Sequence, residues 1–308
     1  MISVIIPTYN AEKYIGRLLD ALGNQTIKPD EIIVVDSSSL DRTVNIAVSK
    51  GAHVISIPKE EFDHGSTRTL AGKKAKGKIL IYFTQDAIPV DEKAIEFLTL
   101  PFREDKKIAA TYGRQIPYEN TDLFGKHLRL FNYPEKSFEK SIEDSKTMGF
   151  KVAFLSNSFA AYRRECLESV GWFPENIIFG EDSVVAARLL MKGYKIKYVA
   201  EAKVYHSHSY SVIQEFRRYF DVGVFHKTQF WMLETFGKPE KEGIRYVKSE
   251  LKFLLDNGAF HLLPNFFFRN FAKYLGYKMG YNFDKLPVNI RKAFSMNKHF
   301  WNKCKEKQ

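Results

Sequence analysis

With 308 residues, 44% hydrophobic and 27% charged, and a formal charge of +11, the chain has the make-up of a soluble globular protein: one large domain, or one domain with a substantial extension. The N-terminus lacks the basic and long apolar regions of a secretory signal, no apolar run of about 18 residues is present, and Cys166 and Cys304 fit no metal or redox spacing. Export, membrane crossing and cysteine chemistry are therefore not expected; the expected setting is a reducing cytoplasm, with Cys166 a packing residue and Cys304 a tail thiol.

A first strand, Ser3-Val-Ile-Ile-Pro7, leads into Thr8-Tyr9-Asn10 and a helix predicted over 11–24. The next apolar run, 31–35, ends on Asp36 and precedes a helix at 40–50 with Asp41 as its candidate cap; residues 53–57 read as a third strand. Gly65 to Ala75 has helical spacing, a strand at 79–83 leads to Asp86, Asp91 to Leu98 is helical, and 108–113 is a further strand. Such alternation predicts a largely parallel sheet with helices on both faces. Ligands bind outside the carboxyl ends of the strands in such a sheet, so Asp36 and Asp86 can share one, and the arrangement suits a nucleotide held through base, ribose and a metal-bridged diphosphate. No Gly-x-Gly-x-x-Gly follows the first strand and no Gly-x-x-x-x-Gly-Lys-[Ser/Thr] occurs. Nucleotide binding must then rest on side chains and a cation rather than on a glycine-rich phosphate loop.

From Tyr118 to Lys151 the residues are polar and charged without a steady period, which reads as an insertion or a mobile acceptor-side segment. Phe154 to Arg164 is strand-like, 164–170 is helical, another helix begins near Gly180, and a strand at Lys195–Ala200 precedes helical sequence from about Val212. Between Ser211 and Gln308 stand 18 Lys and Arg against 9 Asp and Glu, so +9 of the charge of +11 lies in the last third. That third also carries Phe260-His-Leu-Leu-Pro-Asn-Phe-Phe-Phe-Arg-Asn-Phe and later Phe294, Phe300 and Trp301, interleaved with lysines. It reads as a helical subdomain with aromatics on the core and lysines in water, or as a peripheral surface for anionic membrane. A nucleic-acid groove is the weakest reading, having no use for Asp36, Asp86 and Asp182.

Ser3-Val-Ile-Ile-Pro-Thr-Tyr-Asn10, Ile32-Ile-Val-Val-Asp-Ser-Ser-Ser-Leu-Asp-Arg-Thr43, the acid after the fourth strand and Gly180-Glu-Asp182 together resemble family 2 glycosyltransferases of the GT-A fold, over roughly residues 1–220. Phe62-Asp-His-Gly-Ser-Thr-Arg68, Thr84-Gln-Asp-Ala87 and Val204-Tyr-His-Ser-His-Ser-Tyr-Ser211 are similar to its rhamnosyltransferase branch. Three positions depart: the metal-binding Asp-x-Asp is Thr84-Gln85-Asp86, Ser37 replaces the second acid of Val-Asp-Asp-Gly-Ser, and Thr69 stands where the branch often has Asn. The resemblance implies an α/β nucleotide-diphospho-sugar transferase fold with a mostly parallel central sheet flanked by helices. Its catalytic domain would cover 1–210, with a nucleotide-sugar half at about 1–115 and an acceptor half at about 116–210, and 211–308 would form a mainly helical extension. It also implies an inverting displacement without a covalent intermediate, with Mg2+ or Mn2+ on the diphosphate. The donor would be dTDP- or UDP-linked, dTDP-L-rhamnose first, and the acceptor a cell-surface glycan or its lipid-linked precursor at the inner face of the membrane. A UDP-hexose or another deoxysugar donor is the alternative within the family. A catalytically silent nucleotide- or glycan-binding module is the alternative of another class, opposed by Asp182.

Within this frame Asp36 can accept the imino N–H of a pyrimidine, with Thr8 flanking the base, Pro7 or Tyr9 offering a face, and Ser38 and Gln85 lining the pocket. Arg68 is the candidate for the diphosphate and His64 for phosphate or ribose, with Gly65 leaving room for close approach. Asp86 is the metal candidate, with His206 or His208 as further ligand. Asp182 is the candidate general base; Glu181, Asn157, Trp172, Arg217 and Arg218 are placed on the substrate. Structural alternatives stand beside these: a strand-end cap for Asp36, a solvent-facing Arg68, surface packing for the histidines, helix-dipole acids at 181–182 and core packing for Trp172.

Overall fold

Three of the four apolar runs in the first 83 residues become strands buried on both faces, and the fourth, at 53–56, becomes a half-exposed edge strand. The structure, a computed structural model, describes residues 1–237 and 240–303. β1 (Ile2–Thr8), β2 (Glu31–Asp36), β3 (His53–Ser56) and β4 (Ile79–Phe83) pair in parallel in the order β3-β2-β1-β4, crossing over through α1 (Glu12–Gly23), α2 (Thr43–Ser49) and α3 (His64–Lys74). Ile5, Ile33, Val35, Leu80 and Tyr82 enter one apolar cluster, and Val4, Ile6, Val34, Ile81 and Phe83 the other. Successive side chains point to opposite faces, and both faces are covered by helices.

Beyond β4 come β5 (Ile88–Pro89), β6 (Ile108–Ile116), β7 (Phe138–Lys140), β8 (Phe159–Arg163) and β9 (Lys195–Tyr205), and the sheet becomes mixed. β8 is antiparallel to both β4 and β6, β6 is parallel to β9, and β5 and β7 pair antiparallel with β9. β4, β6 and β9 therefore end at the same edge of the sheet as β1 and β2, and β8 begins there. α4 (Ala94–Thr99) and α5 (Pro101–Glu104) lead into β6.

The segment from Tyr118 to Lys151, expected as an insertion or a mobile acceptor-side segment without steady period, forms helices and a strand. α6 (Leu123–Asn132) is capped by Asp122, which accepts from the Gly125 N–H at 2.7 Å, and it buries Phe124 and His127. After β7 comes α7 (Ser145–Met148), and the wholly buried Lys140 donates to the Phe154 carbonyl with its Nζ 4.8 Å from the Tyr112 ring centroid. α8 (Arg164–Ser169) and α9 (Glu181–Met191) then frame β9, and Cys166 is buried as a packing residue should be; Cys304 lies outside the described residues.

The last third forms α10 (Val212–Thr228), α11 (Phe230–Phe236), α12 (Glu240–Asp256), α13 (Leu263–Tyr281), α14 (Val288–Phe294) and α15 (Lys298–Lys303). α10 opens on a capping box between Ser211 and Gln214. It presses so closely on α13 that a side chain at Gly223, Gly276 or Gly280 would collide with backbone carbonyls of the facing helix. Phe220, Phe225, Met232 and Trp301 join the cluster that underlies β4 and α9. The aromatic residues divide: Trp301 and Phe266 are buried, whereas Phe260, Phe267, Phe268 and Phe271 face solvent. Among the described residues no helix is long and apolar enough to cross a membrane.

Candidate active site

Asp182 is the second residue of α9, which follows Gly180 in the left-handed conformation (φ 83°). Asp182 Oδ2 accepts the Asn157 N–H at 3.0 Å and Oδ1 accepts the Ser183 N–H at 2.8 Å, and the side chain keeps partial exposure. Glu181 beside it is buried and held 3.2 Å from Arg68 Nη1. Asn157 Nδ2 donates to Glu181 at 3.0 Å, and the Tyr162 hydroxyl donates to Asn157 Oδ1 at 2.7 Å. The neighbouring acids thus take different states. Burial works against the Glu181 charge, but Arg68, His64 and Asn157 hold its carboxyl below the usual range. Burial and the charge of Glu181 push Asp182 up to about 7. A carboxyl of that kind can take a proton near neutral pH.

Also at the strand ends, Asp86 follows β4 while His206 and His208 follow β9, and one ligand atom from each lies within 4.8 Å of the others. His206 Nε2 is 3.5 Å from Asp86 Oδ1 and His208 Nε2 is 3.8 Å from Oδ2. Gln115, near the end of β6, donates Nε2 to Ser156 Oγ at 3.0 Å and presents Oε1 to His206 Nδ1 at 2.8 Å. Nδ1 therefore carries the hydrogen, and the Nε2 lone pair faces the carboxylate. Burial, then the charges of Arg129, His208 and Arg218, hold His206 well below the ordinary histidine value; burial also lowers His208, against the opposing pull of Asp86. On His206 a neutral Nε2 facing a carboxylate oxygen leaves two lone pairs opposed, which a divalent cation would resolve, and its second nitrogen is held by Gln115 as in metal-binding histidines. The donor set fits the expected cation.

The nucleotide-side candidates are more enclosed than expected. Asp36 is 1% exposed and accepts from Thr8 Oγ1 (3.0 Å), Ser39 Oγ (2.5 Å) and the Ser39 N–H (2.8 Å), leaving one of its four acceptor positions, on Oδ2. Tyr9 is exposed, with Lys59 Nζ 2.6 Å from its hydroxyl and 4.4 Å from its ring centroid. Pro7 is half-buried one residue before the end of β1, and Ser38, in the left-handed region (φ 59°), donates to the Ile57 carbonyl at 2.9 Å. Ser37 Oγ and Thr84 Oγ1 are buried at the ends of β2 and β4 without a partner.

Several expected ligand contacts are corrected by burial. Arg68 does not face a diphosphate: it donates to the His64 carbonyl at 2.9 Å and pairs with Glu181, so both are internal charges. The space beside Gly65 is filled by the Pro174 carbonyl, not by a ligand, and His64 Nδ1 lies 3.4 Å from Arg68 Nη1, with burial lowering its pKa. Gln85 clamps the Tyr9 backbone, accepting its N–H at 2.9 Å and donating to its carbonyl at 3.3 Å. Asn157 is a positioning residue for the two acids rather than a sugar contact. Trp172 is 8% exposed and fits against Gly72 and Tyr82, so core packing is its role and it offers no stacking face. Of the two arginines in α10, it is Arg218, over the Tyr210 ring, whose charge is felt at His206 and His208; Arg217 is not among the groups acting there.

Three residues escaped the sequence reading. Gln115 orients His206, Tyr118 donates its hydroxyl to the Asp86 carbonyl at 2.9 Å, and Arg129, with a buried Nε lacking a partner, adds positive charge beside the histidines. Arg129 lies on α6, where Asp122 followed by apolar residues at 123, 124, 128 and 131 is a capped amphipathic pattern that could have located it.

Strand ends carrying a proton-accepting acid on one side and an imidazole–carboxylate cluster with free positive charge on the other define a nucleotide-sugar transferase of the GT-A architecture. Residues 3–171 match the model of Glycosyl transferase family 2, and the chain belongs to that family. It is 46% identical over 303 residues to the O-antigen chain rhamnosyltransferase RfbN of Salmonella typhimurium, covering 98% of this chain and 96% of that one. It is 44% identical over 302 residues to the O-antigen chain rhamnosyltransferase WbaN of Salmonella anatum, covering 97% and 95%. The fold is shared with the mannosyltransferase PcManGT from Pyrobaculum calidifontis, solved with GDP-Man and Mn2+ (TM-score 0.64, 17% identity, 92% of this chain and 88% of that one).

Proposed function

We propose that the protein transfers L-rhamnose, with inversion, from dTDP-L-rhamnose to a hydroxyl of a growing O-antigen-type chain on a lipid carrier. The observation that carries the chemistry is Asp182 at the start of α9, its carboxylate held by two backbone N–H groups and set beside the buried Glu181–Arg68 pair, a placement that raises its pKa. The names of RfbN and WbaN, similar over nearly the whole chain, support the sugar and the kind of acceptor.

The acceptor hydroxyl gives its proton to Asp182 as its oxygen bonds to the anomeric carbon, the bond from that carbon to the diphosphate oxygen breaks, and the electron pair leaves with dTDP. Asn157 and Ser183 hold the Asp182 carboxylate in place through their backbone N–H groups. Arg129 and Arg218 place positive charge toward the diphosphate, and the open acceptor position on Asp36 Oδ2 receives the imino N–H of thymine. Asp86, His206 and His208 would hold a divalent cation, and the two nitrogen donors favour Mn2+ over the all-oxygen preference of Mg2+. When bound, the cation supplies charge stabilisation to the leaving diphosphate.

The test is nucleoside diphosphate release from a panel of dTDP- and UDP-sugars with Mg2+ or Mn2+, for the native chain beside Asp182→Asn. Slow release from dTDP-L-rhamnose, lost in the variant, is expected. Turnover of a UDP-hexose alone would overturn the donor, and failure to bind any donor would overturn the nucleotide site.

A further inference from the structure

α13 has two opposite faces. One is buried: Ala272, Gly276 and Gly280 lie against neighbouring elements, the glycines against α10, and Arg269 and Lys273 pair with Glu215 and Glu250 at 3.5 and 3.4 Å. The other is open: Phe267, Phe268 and Phe271 are 62–67% exposed, Tyr274 and Leu275 are exposed with them, and Phe260 is exposed just ahead of the helix. At about 100° per residue, positions 267, 268, 271, 274 and 275 share one arc of about 120°, and the same arc ends on the exposed Lys278. A contiguous aromatic surface of this kind on a folded chain marks a contact site.

Charge identifies the occupant. From Asn257 to Phe283 there is no Asp or Glu. The two other cations of α13 are consumed in buried pairs, so the charge presented beside the rings is that of Lys278, whose Nζ lies 5.7 Å from the Tyr274 ring centroid; beyond the helix the exposed Lys285 stands next to the exposed Asp284. A second copy docking on this stripe would bring aromatic rings together but offer Lys278 no acid from the stripe itself. Anionic headgroups meet Lys278 while the rings sit among the upper acyl carbons, and a helix unable to span the bilayer can lie in that plane. We infer that the outer face of α13 docks on an anionic lipid surface. The inference does not depend on the donor or on turnover; if the lipid-linked acceptor is also right, it brings the enzyme to its substrate.

The test uses the full chain with phosphatidylcholine vesicles, with and without about one-third phosphatidylglycerol, in co-sedimentation. Phe267→Ser with Phe271→Ser should weaken binding to the anionic vesicles by about tenfold or more, and Lys278→Glu should weaken it less, with the loss deepest at low salt. Melting temperature and donor hydrolysis should be unchanged in both. Equal binding by the native chain and the double variant would overturn the inference. So would a native dimer in lipid-free buffer that the double substitution dissociates, because the stripe would then be a subunit contact. A chain that binds vesicles as expected but hydrolyses no donor would remove the proposed function and leave this surface standing.

Discussion

Asp182 and Asp86 are held in opposite ways. Around Asp182 the protein supplies its own partners: two backbone donors, and a buried lattice in which Arg68, Glu181, Asn157 and Tyr162 answer one another. Around Asp86 it places two imidazole nitrogens at 3.5 and 3.8 Å from the carboxylate oxygens, outside good hydrogen-bond range, with Gln115 holding the second nitrogen of His206. The end proposed for the base is completed by folding, whereas the end proposed for the cation keeps ligand atoms facing one another without a close bond. Substitutions at the first should therefore act on chemistry or stability without added metal, and substitutions at the second on cation affinity.

The largest effect is expected from Asp182→Asn. Transfer should fall by about 10²- to 10⁴-fold while donor affinity, followed by titration calorimetry, stays within about twofold. A variant that keeps native turnover would move the base elsewhere. Next comes Arg68→Met, which leaves Glu181 charged and buried: unfolding in denaturant should show a loss of about 3–5 kcal/mol. Adding Glu181→Gln should restore much of it, because the uncompensated charge and not the missing side-chain volume is the cause. If the single substitution proves neutral, the lattice does not hold the base. On the metal side, Gln115→Leu should lower Mn2+ affinity by about 10- to 100-fold by freeing the His206 tautomer, with no change in the pH profile of the base. A shift in that profile would mean that the two ends are not separable.

This division also explains what could be read from the sequence. Strands that end a run of apolar residues were legible, and with them Asp36 and Asp86; so was Asp182, because an acidic pair after a glycine opens a helix. What was not legible was the direction each polar side chain takes. Arg68 and Glu181 lie 113 positions apart, and only the packing of α3 against the start of α9 turns two candidate ligand groups into a buried pair. The same holds for Gly65, whose open side is taken by Pro174, and for Trp172, whose ring needs Gly72 to fit. In the last third, composition alone left packing and membrane contact as rivals. On α13 one face packs, burying Phe266, and the other, where Phe267 is open, is the surface inferred above to meet lipid.

The most discriminating effect is in pH. Asp182 must be ionised to act, so kcat/KM should fall about tenfold per pH unit below the value near 7 and level off above it. In stability the same group has the reverse sign. Its folded pKa lies above the ordinary value of 3.8, so the native state holds the proton more firmly than the unfolded one. The contribution is full below about pH 4 and is lost as pH rises through about 7. Denaturant melts of the native chain and Asp182→Asn across that window should therefore diverge, the variant gaining on the native chain as pH rises. Repeating the rate profile at two Mn2+ concentrations separates the two groups: a midpoint set by Asp182 stays where it is, and one set at His206 and His208 moves, because protons and the cation compete for the same nitrogens.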